Sequence, residues 1–145
     1  MQQTMKIALV TLIASLGIAA TATAQEYAVV VNDAVPATRL TANELSRVFE
    51  KRATRWPNGL EVEPVDQTDD SPLRERFSRD VLGKTVAQSK SYWQSQVFSG
   101  RSVPPVEVTS DARVLEYVRL HTGAVGYVST AARLPEGVRR LNVAW

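Results

Sequence analysis

The stretch Val65-Asp66-Gln67-Thr68-Asp69-Asp70-Ser71-Pro72-Leu73-Arg74 is typical of a strand that runs into a helix through a short, oxygen-rich loop. Ser71 is a suitable N-cap, and Pro72 suits the first helical turn. Such a junction points free backbone N–H groups and the positive end of a helix dipole at the loop, which favours an anion. The negative charges of Asp69 and Asp70 disfavour an anion at the same place. The junction therefore predicts either a ligand site or a plain helix cap.

Strands and helices alternate on both sides of this junction. Short β-branched runs bounded by turn residues predict strands, and apolar residues at three- and four-residue spacing predict helices. The predicted strands are 26–31, 60–65, 106–108, 125–128 and 138–144. The predicted helices begin after Thr41 (in a capping box with Glu44), after Ser71, at Thr85 and after Ser110. This order predicts one α/β domain, with a mixed sheet of about five strands flanked by helices.

Single residues refine these elements. Pro64 has no N–H, so strand 60–65 is expected to lie at a sheet edge or to end early. Gly83 is expected to close the second helix, and Gly123 is expected in the left-handed conformation after the fourth. The core contacts expected from the third helix are Val86, Tyr92, Trp93 and Val97.

The first 24 residues are typical of an export signal. Lys6 precedes the apolar run 7–20, which is shorter than a membrane span, and Ala22-Thr23-Ala24 fits the small-residue cleavage rule. We expect cleavage after Ala24 and a domain over residues 25–145; an uncleaved N-terminal anchor is the alternative. An exported chain without cysteine suits a bacterial periplasm.

The charge balance gives little support to nucleic-acid binding. The chain carries 17 Lys and Arg against 15 Asp and Glu, a formal net charge of +2. No block of five like charges occurs, so the polar surface is mixed in sign. Without cysteine the chain has neither disulfides nor thiolate metal sites. We expect no membrane span once the signal is removed.

Catalysis has few candidate residues. His121, the single histidine, is the last residue of a predicted helix, where an imidazolium interacts favourably with the dipole. No nucleophile-elbow, metalloprotease or phosphate-loop motif occurs. Asp66, Asp69 and Asp70 could ligate a hard cation, but they lack the spacing of a calcium loop, so solvated loop acids are the preferred interpretation. We therefore expect a protein that is not an enzyme and needs no cofactor.

Two further groups of residues have two interpretations each. Aromatic side chains at helix and strand positions could line a ligand site, although core packing is their usual role. They are Trp56, Tyr92, Trp93, Phe98 and Tyr127. The segment Ser99-Gly100-Arg101-Ser102 could bind an oxyanion, or it could cap a helix C-terminus and leave Arg101 in solvent.

Five segments occur in an order and spacing that resemble a known family. They are Leu40-Thr41-x-x-Glu44-Leu45-x-x-Val48-Phe49, Trp56-Pro57-Asn58-Gly59, Phe77-x-x-x-Val81-Leu82-Gly83, Tyr92-Trp93 with Phe98-Ser99-Gly100, and Gly123-Ala124-Val125-Gly126-Tyr127-Val128. From about Ala28 to Ser129 they resemble the phosphate-binding periplasmic proteins of ABC transporters, in the type 2 periplasmic-binding superfamily. Full-length members have two lobes that hold the anion between them. The resemblance implies a single lobe here, similar to the second.

The resemblance also implies a weakened anion site at the junction. Ser71 and Arg74 match positions where the family wraps phosphate, and the hydroxyl and guanidinium of Ser99 and Arg101 are further candidates. Between Ser71 and Arg74 stand a proline without an N–H donor and a leucine without a hydroxyl. Two charge-assisted hydrogen bonds of about 1.5–3 kcal/mol each, on an open face and reduced by the cost of association, correspond to millimolar binding at best.

Three functions are compatible with the sequence. The first is a solute-binding-like protein with weak binding of phosphate or another oxyanion, completed by a partner protein or a homodimer. The second is a periplasmic interaction protein that kept the lobe and lost the ligand. The third is a metal-dependent hydrolase that uses the Asp cluster, and it has the least support.

Overall fold

The computed structural model describes residues 27–145, and it confirms the predicted α/β lobe. Its elements are β1 (Tyr27–Asn32), β2 (Arg39–Thr41), α1 (Ala42–Phe49), β3 (Glu63–Gln67), α2 (Pro72–Phe77), a π-helical turn (Ser78–Leu82), α3 (Val86–Phe98), β4 (Val106–Val108), α4 (Asp111–Leu120), β5 (Ala124–Ser129), β6 (Val138–Arg140) and β7 (Asn142–Ala144). The predicted signal peptide and its cleavage site lie outside the described residues. Within residues 27–145, no helix is long and apolar enough to cross a membrane.

The main sheet has five strands in the order β4-β3-β5-β1-β6. Strands β4, β3 and β5 are parallel, whereas β1 is antiparallel to both β5 and β6. Strands β2 and β7 form a separate parallel pair. The carboxyl ends of the three parallel strands therefore meet at one edge, where open α/β sheets place their ligands.

Side chains on β1 and β5 alternate between two hydrophobic clusters, one on each face of the sheet. The first cluster packs α1, α2 and the π-helical turn against the sheet, and the rings of Phe77 and Tyr127 stack in it with centroids 4.0 Å apart. The second packs α4 against the opposite face through Val114 and Val118. Burial on both faces fixes the strand register, because a one-residue slip would exchange the faces.

The predicted helix starts are confirmed. Thr41 Oγ1 accepts from Glu44 N–H at 3.2 Å, and the Glu44 carboxylate accepts from Thr41 N–H at 2.7 Å, which completes the capping box. Ser110 caps α4 through Arg113 N–H. Gly83 closes the second helix with φ of +63°, as expected. The sequence did not predict the π-helical turn that carries α2 on to this glycine.

The prediction that Pro64 marks an edge is wrong. Strand β3 lies inside the sheet, between β4 and β5. Pro64 is tolerated because β4 pairs with β3 only from Val65 onward, while Glu63 N–H bonds to Gly123 O on the β5 side. The N–H that proline lacks would point away from β5, where no strand is paired at that level.

The left-handed conformation expected at Gly123 is also wrong. Its φ is not positive, unlike those of Gly83 and Gly100. A Cβ at Gly123 would lie 1.7 Å from the backbone oxygen of Glu61. Glycine is required there because two backbone segments approach too closely for a side chain.

Two other elements differ from the sequence prediction. The segment 138–144 forms two strands, because Leu141 N–H bonds to Val29 O and β7 turns away to pair with β2. Of the four core contacts expected from α3, only Trp93 is buried; Val86 and Tyr92 are half-buried and Val97 is 52% exposed.

Candidate functional site

Ser71 caps α2, and its hydroxyl is already engaged inside the junction. Ser71 Oγ accepts from Arg74 N–H at 3.4 Å and donates to Gln67 Oε1 at 2.5 Å. Pro72 is the first residue of α2, as predicted. The Ser71 hydroxyl is thus paired on both sides within the junction.

Arg74 is directed into the protein and is surrounded by oxygen atoms. Its Nη1 donates to Gln67 O at 2.5 Å and to Glu107 Oε1 at 3.2 Å, and it lies 3.2 Å from Asp66 Oδ2. Its side chain is 3% exposed. The guanidinium predicted to hold an anion therefore already has two carboxylate partners.

Asp66 differs from the sequence interpretation of the cluster Asp66, Asp69 and Asp70. A solvated loop acid was preferred, yet Asp66 belongs to β3 and its side chain is 5% exposed. Its Oδ1 accepts from the Tyr127 hydroxyl and from Gln67 N–H. The polar end of a buried strand, rather than a loop, carries this carboxylate.

Burial and the partner charge shift the pKa values of Asp66 and Arg74 in opposite directions. Burial raises the pKa of the Asp66 carboxyl, and the Arg74 guanidinium and the Tyr127 hydroxyl oppose that rise only in part. Burial disfavours the Arg74 cation, but the carboxylates of Asp66 and Glu107 outweigh it and raise the Arg74 pKa. The Tyr127 pKa is raised by burial and by the neighbouring Asp66 charge, so its hydroxyl remains a donor.

One atom of this network is unsatisfied. Arg74 Nε is buried and has no hydrogen-bond partner among the described residues. Desolvating such a donor without a partner costs about 1–3 kcal/mol. The pairing of Arg74 is thus strong at Nη1 and incomplete at Nε.

Asp69 and Asp70 are exposed, as the sequence interpretation preferred. Asp70 Oδ1 accepts from Thr68 Oγ1 at 2.7 Å within the loop, and Asp69 pairs with Lys90 of α3. Within residues 27–145, no group of three His, Asp or Glu side chains is placed to hold a metal ion.

Ser99 and Arg101 lie at the end of α3, apart from the Ser71–Arg74 network. Ser99 Oγ donates to Ser95 O at 2.8 Å, Arg101 N–H bonds to Gln96 O, and Gly100 has φ of +67°. The segment is a helix C-cap, one of its two predicted interpretations, and Arg101 is exposed. Among the described residues, no hydrogen bond or ion pair joins Ser99 or Arg101 to Ser71 or Arg74.

Sequence reasoning missed three residues of the network around Asp66 and Arg74. At the end of β3, Gln67 accepts from Arg74 through its backbone oxygen and from Ser71 through its amide oxygen. The Tyr127 hydroxyl donates to Asp66, whereas core packing was the preferred of its two predicted roles. Glu107 lies opposite Asp66 in the β3–β4 register. Alternation along the predicted strand 106–108 could have indicated which face Glu107 lies on. The sequence does not show that this strand pairs with β3.

The single histidine has a structural role in the described fold. His121 Nδ1 lies 2.8 Å from Tyr117 O, and its ring stacks on the Tyr117 ring with centroids 3.9 Å apart. This arrangement at the end of α4 agrees with the predicted helix-terminal role.

A groove of about 290 Å³ lies beside the Arg74 network, between α3 and β4. Its lining residues are Arg74, Lys90, Trp93, Gln94, Val97, Phe98, Pro104 and Glu107. Among the five aromatic side chains considered above, Trp56 and Tyr127 are in the core, whereas Trp93 and Phe98 line this groove.

The sheet order and the junction at the carboxyl ends of β3, β4 and β5 give the chain the fold of one lobe of solved phosphate-binding proteins. Solved structures with this fold include an ABC-type phosphate transport receptor from Vibrio cholerae, with 22% identity and a TM-score of 0.61, which covers 81% of this chain and 46% of that one. PstS from Borrelia burgdorferi has 15% identity and a TM-score of 0.64, over 81% and 47% of the two chains.

A third similar structure is from Clostridium perfringens, a protein assigned as a phosphate ABC transporter substrate-binding protein and solved with bound phosphate. It has 16% identity and a TM-score of 0.64, over 81% of this chain and 44% of that one. This chain therefore spans less than half the length of the proteins it resembles. No family model and no curated protein matches its sequence.

Proposed function

We propose that this chain is an exported protein with the fold of a solute-binding lobe, that it binds phosphate or another oxyanion weakly at most, and that it acts mainly by contacting another protein. The observation that carries the proposal is the internal pairing of Arg74. Asp66 and Glu107 already form ion pairs with the Arg74 guanidinium that an anion would need. An incoming phosphate would compete with two carboxylates and would meet Asp69 and Asp70 at the loop.

Calorimetry with inorganic phosphate, and with sulfate at the same ionic strength, tests the weak-binding part. We expect no saturable heat below about millimolar concentration, and no rise in melting temperature there. Saturation at micromolar phosphate would overturn the proposal and identify a solute-binding protein proper.

A partner-dependent oxyanion site is the second candidate. It is supported by the place of Ser71 and Arg74 at the carboxyl ends of parallel strands and by the phosphate bound to a protein of the same fold. Ser99 and Arg101 would contribute from their own surface, at the end of α3. If a partner closes the site, phosphate affinity rises when that partner is added; unchanged affinity would argue against this candidate.

We propose export because the first 24 residues have the pattern of a signal peptide. We expect the chain to be recovered from the periplasmic fraction of a bacterial host with Gln25 as its first residue. Mass spectrometry of the intact protein tests this, and a product that begins at Met1 or Met5 in the membrane fraction would support the uncleaved anchor instead.

A further inference from the structure

The groove between α3 and β4 is formed from apolar side chains that a folded protein usually buries. Six large apolar side chains in residues 27–145 are strongly exposed, and four of them belong to this region: Val97, Phe98, Val103 and Val106. Phe98 is 94% exposed. An exposed apolar cluster with a polar rim marks an interaction site more often than chance exposure does.

We propose that this groove binds an acidic segment of another protein, which inserts one aliphatic or aromatic side chain beside Trp93 and places a carboxylate on Arg101. The inference rests on the proposed function and names the surface and the chemistry of the partner. The groove volume of about 290 Å³ fits a single large side chain and is at the lower limit for a small-molecule pocket.

The charges around the groove favour an acidic partner. Residues 81–106 contain Lys84, Lys90 and Arg101 and no Asp or Glu. Lys84 pairs with Glu50 and Lys90 pairs with Asp69, whereas Arg101 has no ion-pair partner among the described residues. The Arg101 guanidinium, at the end of α3 beside the apolar surface, is thus available to a partner.

The same charges argue against a second copy of this chain. Glu107, the acid in the groove lining, is already paired with Arg74, and Asp69 is already paired with the lining residue Lys90. A two-fold contact of this face with itself would offer Arg101 no free carboxylate from the groove rim.

Insertion of a side chain is favoured over addition of a strand. Strand β4 is an edge of the sheet, but it has only three residues and Pro104-Pro105 directly precedes it. Short edges preceded by proline resist pairing with another strand. The partner segment is therefore expected to bind through its side chains.

Selection of displayed random dodecapeptides on the full chain tests the proposal. We expect enriched peptides that share one apolar residue flanked by Asp or Glu. Their affinity should fall at least about tenfold for Phe98→Ser and for Arg101→Ser. Leu120→Ser and Arg133→Ser are matched controls, with an exposed leucine on α4 and an exposed arginine outside the groove, and they should bind like the parent.

A charge exchange makes the test independent of folding effects. Arg101→Glu should lose the acidic peptides and should recover binding when their Asp or Glu is replaced by Lys. Failure to enrich any peptide, equal binding by Phe98→Ser, or binding to phosphatidylglycerol vesicles that is lost in Arg101→Ser would each overturn the inference. The phosphate calorimetry described above is independent, so weak phosphate binding without peptide binding would refute only this surface.

Discussion

Arg74 Nη1 lies 3.2 Å from Asp66 Oδ2, and both side chains are almost completely buried. The pair connects the first turn of α2 to the end of β3. The side chain that the sequence assigns to an external anion is therefore part of the internal polar network of the lobe. This pairing supports the expectation that the chain, despite its resemblance to phosphate-binding proteins, holds phosphate only weakly.

Removing the Asp66 charge should destabilise the fold. Asp66→Asn leaves a buried guanidinium with Glu107 as its remaining carboxylate, so the free energy of unfolding should fall by about 3 kcal/mol, the lower end of the range for a broken buried pair. Urea unfolding measures this. Asp69→Asn, at an exposed pair, is the control and should cost less than about 1 kcal/mol. Equal stability of the two variants would contradict the structural role of the pair.

Weakening the carboxylate competition should improve phosphate binding. Glu107→Gln removes one negative charge beside Arg74 without changing the shape of the side chain. We expect phosphate affinity to rise about threefold or more, equivalent to more than about 0.6 kcal/mol, in calorimetry at constant ionic strength. Glu116→Gln is the control, because the Glu116 carboxylate pairs with Arg113 on α4, and it should leave affinity unchanged. Weaker binding by Glu107→Gln would show that Glu107 supports the anion site.

Adding one methyl group at Gly123 should be severely destabilising. The new Cβ would lie 1.7 Å from Glu61 O, so the backbone of two segments would have to separate. We expect Gly123→Ala to lose more than about 3 kcal/mol or to remain unfolded. Gly59→Ala meets no atom within 4 Å and has only its φ of +89° to oppose it, so it should cost about 1 kcal/mol. Thermal melting followed by circular dichroism compares the two.

The Glu44 capping box should make stability depend on pH in a predictable direction. Hydrogen bonds from the Thr41 backbone and hydroxyl lower the pKa of Glu44 below its ordinary 4.5. A carboxyl with a lowered pKa in the folded state contributes stability above the unfolded pKa and loses it as pH falls through the folded value.

Glu44→Gln keeps a capping side chain and removes this titration. The parent should therefore exceed the variant in stability above pH 4.5, and the difference should vanish in more acidic solution. Chemical unfolding at a series of pH values measures it. A difference that grows on acidification would be inconsistent with the capping geometry.

Local chemistry explains why some features could be predicted. Helix starts at Thr41, Ser71 and Ser110 depend on one side-chain oxygen and the N–H groups of the next turn, so a few neighbouring residues decide them. The α/β class follows in the same way from the alternation of strand and helix patterns. Both were correct without any knowledge of tertiary contacts.

The errors concern residues whose role depends on distant partners. Pro64 lies inside the sheet because β4 begins to pair one residue later, and Gly123 is glycine because the Glu61 backbone lies against it. Val97 was expected in the core, but α3 reaches the body mainly through Ser89 and Trp93, so Val97 remains on the surface. None of these contacts has a local signature.

The sequence by itself determined the class of fold, the caps of its helices and the short list of residues at the β3–α2 junction, because these depend on periodicity and on interactions within a few residues. Only the tertiary structure decided what the junction does. It places Glu107 in register with Asp66, directs both toward Arg74, and leaves the apolar end of α3 exposed beside Arg101. Burial and through-space charge set these roles, and both depend on which distant segments the fold brings together.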